Sequence, residues 1–123
     1  MIGIRAGAIA GLVVGAAVAV PVALGHGSAK VVGDPATGKG IFMANCSACH
    51  TLKAAGAKGT IGPNLDKLAL PEATIVKQVT VGGSALMGAA GKKYSLQMPG
   101  YKKSLSAAQI QDVAAYVYVS THK

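Results

Sequence analysis

NCSACHTLK, residues 45–53, contains the only two cysteines of this 123-residue chain. Cys46 and Cys49 are separated by two residues, and His50 follows directly after the second cysteine. Two thiols and an imidazole therefore stand within five positions of a chain that has little other reactive chemistry. The fold and the function both depend on what these three side chains hold and on which other residues complete the site.

The Cys-x-x-Cys-His pattern is typical of covalent haem attachment. Two thiols three positions apart on a helical turn can each add to one vinyl group on the same edge of a porphyrin. The histidine that follows then lies over the ring, where one of its nitrogens can bind iron. Such a group would also stabilise a small domain, which usually needs a disulfide, a metal or another bound group.

Three other interpretations of the cysteine pair explain less. A disulfide between Cys46 and Cys49 suits an exported chain but gives His50 no purpose. A thioredoxin-like dithiol requires a βαβ context, and the sequence shows none. A zinc site needs four ligands, and His26 and His122 stand too close to the chain ends to supply them convincingly.

The N-terminal stretch differs in composition from the rest of the chain. Arg5 precedes residues 6–25, which carry no charge and are mostly Ala, Gly, Val, Leu and Ile. A basic residue, an apolar stretch and small residues are the parts of a signal peptide, but about 20 uncharged residues can also span a bilayer. We expect residues 1–29 to be a signal peptide or an N-terminal membrane anchor and residues 30–123 to be the folded domain. Both alternatives predict an extracytoplasmic location, and membrane attachment through residues 6–25 stays open.

The folded part is basic and has few aromatic residues. The formal net charge is +8, and the chain has one Phe, four Tyr and no Trp. Excess positive charge favours acidic partner proteins or an anionic membrane face. Nucleic acid is a poor candidate, because the one Arg lies in the N-terminal stretch and no basic stripe alternates with aromatic residues.

Capping signals and apolar periodicity predict an all-α domain of about four helices. Asp34 is a favourable N-cap for a helix that leads into Cys46. Residues 71–83 predict another helix, with a strand as the rival because of their β-branched content. A capping box at Ser106 begins the last helix, and a short helix at about residues 64–70 is the fourth.

Residues from about 33 to 121 resemble a small monohaem class I cytochrome c of the bacterial type. The resemblance is carried by an ordered set of features: Gly38 and Phe42 before CSACH, GPNL after it, MPGY in a late loop, and a C-terminal helix containing IQDVAAYV. It implies a small cytochrome c fold around one covalently attached haem c with its iron, preceded here by the N-terminal apolar segment.

The resemblance also implies a role for each site residue. Cys46 and Cys49 would form the thioethers, and His50 would bind the iron through Nε2. The backbone carbonyl of Pro63 would accept a hydrogen bond from the other ring nitrogen of His50. Met98 would be the second axial ligand, with a sulfur that raises the reduction potential of haem iron.

Met87 is the competitor for the distal position, because it stands in the same loop as Met98. Met98 is favoured since Pro, Gly and Tyr follow it, as Pro and often an aromatic residue follow the family's ligand. The resemblance further implies that the first and last helices cross, with small residues allowing their contact. The residues at the crossing would be Gly38, Phe42, Val113 and Tyr116. Tyr94 and Tyr101 flank Met98, and one of them would donate a hydrogen bond to a haem propionate or simply pack.

We therefore expect a one-electron carrier in an extracytoplasmic respiratory or photosynthetic chain, and not an enzyme. The partners would be redox proteins with acidic docking surfaces, which lysines around an exposed haem edge would attract; the candidates are Lys53, Lys58, Lys92, Lys93, Lys102 and Lys103. Two alternatives remain. One is a haem sensor or peroxidase-like protein in which Met98 leaves the iron open, and the other is a membrane-tethered cytochrome subunit of a larger redox complex.

Overall fold

The computed structural model describes residues 11, 15 and 30–123. The expected signal peptide or anchor therefore lies outside the described residues, apart from two isolated positions. The described part contains three α-helices and one two-stranded antiparallel sheet. The α-helices are α1 (Pro35–Asn45), α2 (Glu72–Val81) and α3 (Ala107–Thr121), the strands are β1 (Thr51–Leu52) and β2 (Ala57–Lys58), and 3-10 helices occupy Lys53–Ala55, Leu65–Lys67 and Ala85–Lys93.

The prediction of an all-α domain with about four helices needs two corrections. The fourth helix, expected at about residues 64–70, is a 3-10 turn of three residues, Leu65–Lys67. Asn64 caps this turn by accepting from the Asp66 N–H, and the chain becomes extended again at Leu68. The stretch directly after CSACH contains the small sheet, which the all-α prediction did not include. The domain is therefore mostly helical rather than all-α.

The predicted starts of the first and last helices are confirmed. The Asp34 side chain accepts from the Ala36 N–H at 3.0 Å, and Pro35 is the first residue of α1. Ser106 and Gln109 form the reciprocal capping box that begins α3. Residues 72–81 form a helix and not a strand. These caps are local interactions, which is why the sequence alone predicts them.

The core lies where α1 crosses α3. Phe42 of α1 and Val113 of α3 are almost completely buried, and the Phe42 and Tyr116 rings pack with their centroids 5.8 Å apart. Gly38 permits this approach, because a Cβ there would overlap the Asp112 carbonyl and lie 2.9 Å from the Tyr116 Cβ. The crossing that the family resemblance implies is thus present in the structure.

The four acidic side chains of the chain all accept hydrogen bonds from backbone N–H groups. Asp34 caps α1, and the other three carboxylates bond to backbone far away in the sequence. These long-range acceptors are Glu72 for Val32 N–H, Asp112 for Asp34 N–H and Asp66 for Lys53 N–H. The four carboxylates therefore stabilise the backbone conformation.

No helix among the described residues has the length and apolar character needed to cross a membrane.

Candidate cofactor site

The candidate site is built around a cavity of about 300 Å³ between the helices and the late loop, which is the segment between α2 and α3, residues 82–106. Its walls are overwhelmingly apolar and come from α1, α2, α3 and the segments between them. The side chains with metal-binding or thiol chemistry at this cavity are Cys46, Cys49, His50, Met87 and Met98. Residues from widely separated parts of the sequence thus surround one space.

The turn that follows α1 places the two cysteines. Cys46 is the C-cap of α1, and its carbonyl accepts from the backbone N–H groups of Cys49 at 3.1 Å and His50 at 3.0 Å. Burial, and to a smaller extent Cys49, raises the pKa of the Cys46 thiol to about 11. A buried apolar site disfavours a charged sulfur, so a neutral thioether suits the position of Cys46. The two sulfurs are not joined in a disulfide.

The imidazole of His50 is oriented by the segment containing Gly62 and Pro63. His50 Nδ1 lies 2.8 Å from the Pro63 carbonyl oxygen. Because a carbonyl can only accept, Nδ1 carries the proton in this contact, and the lone pair of Nε2 is available for a metal. Gly62 lies against the ring, since a Cβ there would be 2.7 Å from His50 Cε1.

The segment that carries Met98 is attached to the C-terminal end of α2. The Gly83 N–H donates to the Met98 carbonyl at 2.7 Å. Gln78 Nε2 donates to the Gly83 carbonyl at 2.7 Å and lies 3.5 Å from Met98 Sδ. Met98 is half-buried and packs against the core, and Met87 is half-buried as well.

The cavity fits a porphyrin with two thioether bonds. Its walls are apolar, Cys46, Cys49 and His50 all line it, and the Pro63 contact occupies Nδ1 of His50 and leaves Nε2 for the iron. It also contains one unsatisfied polar atom, because Gln78 Oε1 is buried and has no hydrogen-bond partner among the described residues. A cysteine pair, an oriented histidine and an apolar cavity together define a c-type haem protein.

The comparisons with known proteins agree with this class. The sequence profile of the family described as cytochrome C oxidase, cbb3-type, subunit III matches residues 33–117. Cytochrome c6 of Synechocystis sp. is 35% identical over 105 residues, which cover 79% of this chain and 74% of the relative. Cytochrome c6 of Limnospira maxima is 36% identical over 103 residues, or 74% of this chain and 98% of the relative.

A solved structure supports the same assignment. The c-type cytochrome SorU from Sinorhizobium meliloti superposes with a TM-score of 0.55 and 31% identity, covering 72% of this chain and 92% of that one. The chain belongs to the small monohaem class I cytochromes c. It carries one covalently bound haem c with its iron.

The structure brings together the five residues selected from the sequence. Cys46, Cys49, His50, Pro63 and Met98 all line the cavity. The competing Met87 lines it too, as do Tyr94 and Tyr101. The six lysines expected near the haem edge are all exposed: Lys53, Lys58, Lys92, Lys93, Lys102 and Lys103.

Sequence reasoning missed Gln78 as a residue of the site. A signal for it existed, because Gln78 follows Ile75 by three positions on the apolar face of α2, where the other members are hydrophobic. A polar side chain on such a face implies a polar partner or a ligand. Gly62 was also missed as a contact of the His50 ring, since only the folded structure brings the two together.

Proposed function

We propose that this protein carries single electrons between partner proteins, with His50 and Met98 as the axial ligands of its haem. When bound, the haem iron takes up and releases one electron. One observation carries the proposal: His50 and Met98 line the same apolar cavity as Cys46 and Cys49. An iron with two protein ligands keeps no open position for a substrate, so the arrangement suits a carrier and not an enzyme.

The surroundings of His50 and of Met98 suit a different contribution from each proposed ligand. The Pro63 carbonyl fixes the His50 ring and increases the basicity of its other nitrogen. The thioether of Met98 is a soft donor in an apolar setting, which favours ferrous iron and a raised reduction potential. Gln78 Nε2, 3.5 Å from Met98 Sδ, helps to orient that sulfur.

Substitution of the two cavity methionines tests the ligand assignment. We expect Met98→Leu to abolish the sulfur-to-iron absorption band of the ferric protein and to lower the reduction potential. Met87→Leu is the matched control and should keep both. If Met87→Leu abolishes the band instead, the ligand is Met87. If the unsubstituted protein lacks the band and binds carbon monoxide readily when reduced, the sensor or peroxidase-like alternative replaces the carrier.

The surface charge supports the proposal that the partner proteins have acidic docking surfaces. Residues 30–123 contain eleven lysines, and the four carboxylates already accept backbone hydrogen bonds. Exposed apolar side chains also line the cavity: Ile61, Leu86 and Leu96. Exposed apolar side chains on a positively charged protein suit transient association with an acidic protein, because the charges speed the encounter and the apolar side chains are covered in the complex.

We also propose that residues 1–29 direct the domain, residues 30–123, out of the cytoplasm. The description of the matching family profile names an oxidase subunit, which favours a membrane-tethered subunit of a larger redox complex as the second candidate. Intact mass and fractionation distinguish the two. A mature chain that starts near residue 26 and is found only in the soluble extracytoplasmic fraction excludes the anchor. A full-length chain in the membrane fraction excludes the soluble carrier.

A further inference from the structure

Tyr101 connects three separate parts of the fold. Its backbone N–H donates to the Val79 carbonyl of α2 at 2.8 Å, and its carbonyl accepts from the Leu105 N–H at 2.9 Å. Its hydroxyl donates to the Asn45 carbonyl, the last residue of α1, at 2.9 Å. The backbone of Tyr101 is thus held by α2 and by the approach to α3, and its side chain reaches α1.

The hydroxyl bond satisfies a group that the helix itself leaves free. The last four carbonyls of an α-helix have no partner within the helix. The next carbonyl in the chain, that of Cys46, accepts from the backbone of Cys49 and His50. Tyr101 provides the donor for Asn45 from a residue 56 positions away, so the end of α1 depends on the late loop.

The position of this bond links the two sides of the cavity. Asn45 directly precedes Cys46, and Tyr101 follows Met98 by three residues. One hydrogen bond therefore joins the segment with the proposed distal ligand to the segment with both cysteines and His50. Burial raises the pKa of Tyr101, so the hydroxyl stays a proton donor at neutral pH.

We propose that Tyr101 is a positioning residue whose hydroxyl holds the Met98 segment against the haem-attachment turn and so stabilises Met98 as a ligand against replacement by an external ligand. The inference rests on the proposed function, in which Met98 is a ligand. A net hydrogen bond is worth about 1 kcal/mol. Its loss should therefore favour replacement of Met98 by an external ligand roughly fivefold to tenfold.

Imidazole binding to the ferric holoprotein tests the proposal. Tyr101→Phe keeps the ring and removes only the hydroxyl. Imidazole binding is measured by the loss of the sulfur-to-iron band. We expect the affinity of this variant for imidazole to rise roughly fivefold to tenfold, while intact mass shows the haem still attached. Tyr118→Phe is the matched control, because it removes the same atom from α3, where the ring stacks on His122 at 3.9 Å; its imidazole affinity should be that of the unsubstituted protein.

The possible outcomes separate this inference from the function on which it rests. If Met98→Leu abolishes the band but Tyr101→Phe binds imidazole like the unsubstituted protein, Tyr101 has no positioning role and the proposed ligation stands. If Tyr118→Phe raises the affinity as much as Tyr101→Phe, the effect is general destabilisation and the inference is overturned. If the unsubstituted protein shows no sulfur-to-iron band, the proposed ligation fails and this inference fails with it.

Discussion

At the scale of single residues, His50 depends on two neighbours that sequence spacing alone does not connect to it. The Pro63 carbonyl accepts from Nδ1, and the Gly62 backbone lies against the ring. Gly62 is also tied to the attachment turn, because its N–H donates to the Cys49 carbonyl at 2.7 Å. The Gly-Pro pair therefore sets both the orientation of the ring and the room available to it.

Alanine at Gly62 tests this dependence. A Cβ 2.7 Å from His50 Cε1 must displace either the ring or the backbone. We expect Gly62→Ala to lower the free energy of unfolding of the ferric holoprotein by about 1–3 kcal/mol, as overpacking usually does, measured by urea unfolding. The haem absorption should shift as well, because either displacement changes the position of His50 relative to Gly62 and Pro63. A variant with the stability and spectrum of the unsubstituted protein would contradict the contact.

At the scale of elements, α1 illustrates how a short helix is held by its surroundings. Asp34 and Pro35 begin it, the crossing at Gly38 packs it on α3, and the Tyr101 hydroxyl bonds its last carbonyl. An isolated helix of eleven residues is marginal in water. Tertiary contacts along its whole length are therefore what make α1 stable.

Two glycines of α1 should respond to alanine in opposite directions. Gly38→Ala places a Cβ against the Asp112 carbonyl, and we expect a loss of about 1–3 kcal/mol. Gly40 is exposed and has nothing within 4 Å of its Cβ position, so Gly40→Ala should gain about 0.5–1 kcal/mol from the better helix propensity. Thermal unfolding of the two holoproteins measures the difference. Equal shifts for both variants would exclude a close crossing at Gly38.

At the scale of the whole molecule, the covalent haem is part of the core. The described domain has one Phe, four Tyr and no Trp, and an apolar cavity lies between its helices. A domain of this size buries a limited area, and small scaffolds commonly need a bound group to fold. The same attachment thus serves stability and electron transfer.

Removal of the haem should accordingly unfold the domain. We expect Cys46→Ala/Cys49→Ala to lose most of the helical circular dichroism and the cooperative thermal transition of the holoprotein. Cys46→Ala alone keeps Cys49 and one thioether, and it should remain folded with a lower Tm. A doubly substituted protein that melts cooperatively near the Tm of the holoprotein would show that the polypeptide core suffices.

The uncompensated lysines predict electrostatically assisted reactions. We expect Lys92→Glu/Lys102→Glu to slow oxidation of the ferrous protein by hexacyanoferrate(III), an anion, by about threefold to tenfold at low salt. The effect should shrink as ionic strength rises. Lys39→Glu/Lys77→Glu makes the same charge change on α1 and α2, at two lysines that are not among the six expected around the haem edge. Equal slowing by both pairs would mean that net charge, and not a local docking surface, steers the reaction.

Several features of this protein could be predicted from sequence because they are local. The Cys-x-x-Cys-His pattern indicated the haem, and the caps at Asp34 and Ser106 marked two helix starts. In each case the residues that interact are a few positions apart, so their spacing is enough. The small sheet was missed because two-residue strands have no periodicity.

Only the tertiary structure decided the contacts between distant segments. The sequence supplied His50, Pro63 and Tyr101, and the Pro63 contact was expected from a family resemblance and not from spacing. Folding places Gly62 on the His50 ring, the Tyr101 hydroxyl on α1 and the Gln78 amide near Met98. The physical reason is that these contacts depend on how α1, α2 and the late loop pack around one cavity, which no local pattern encodes.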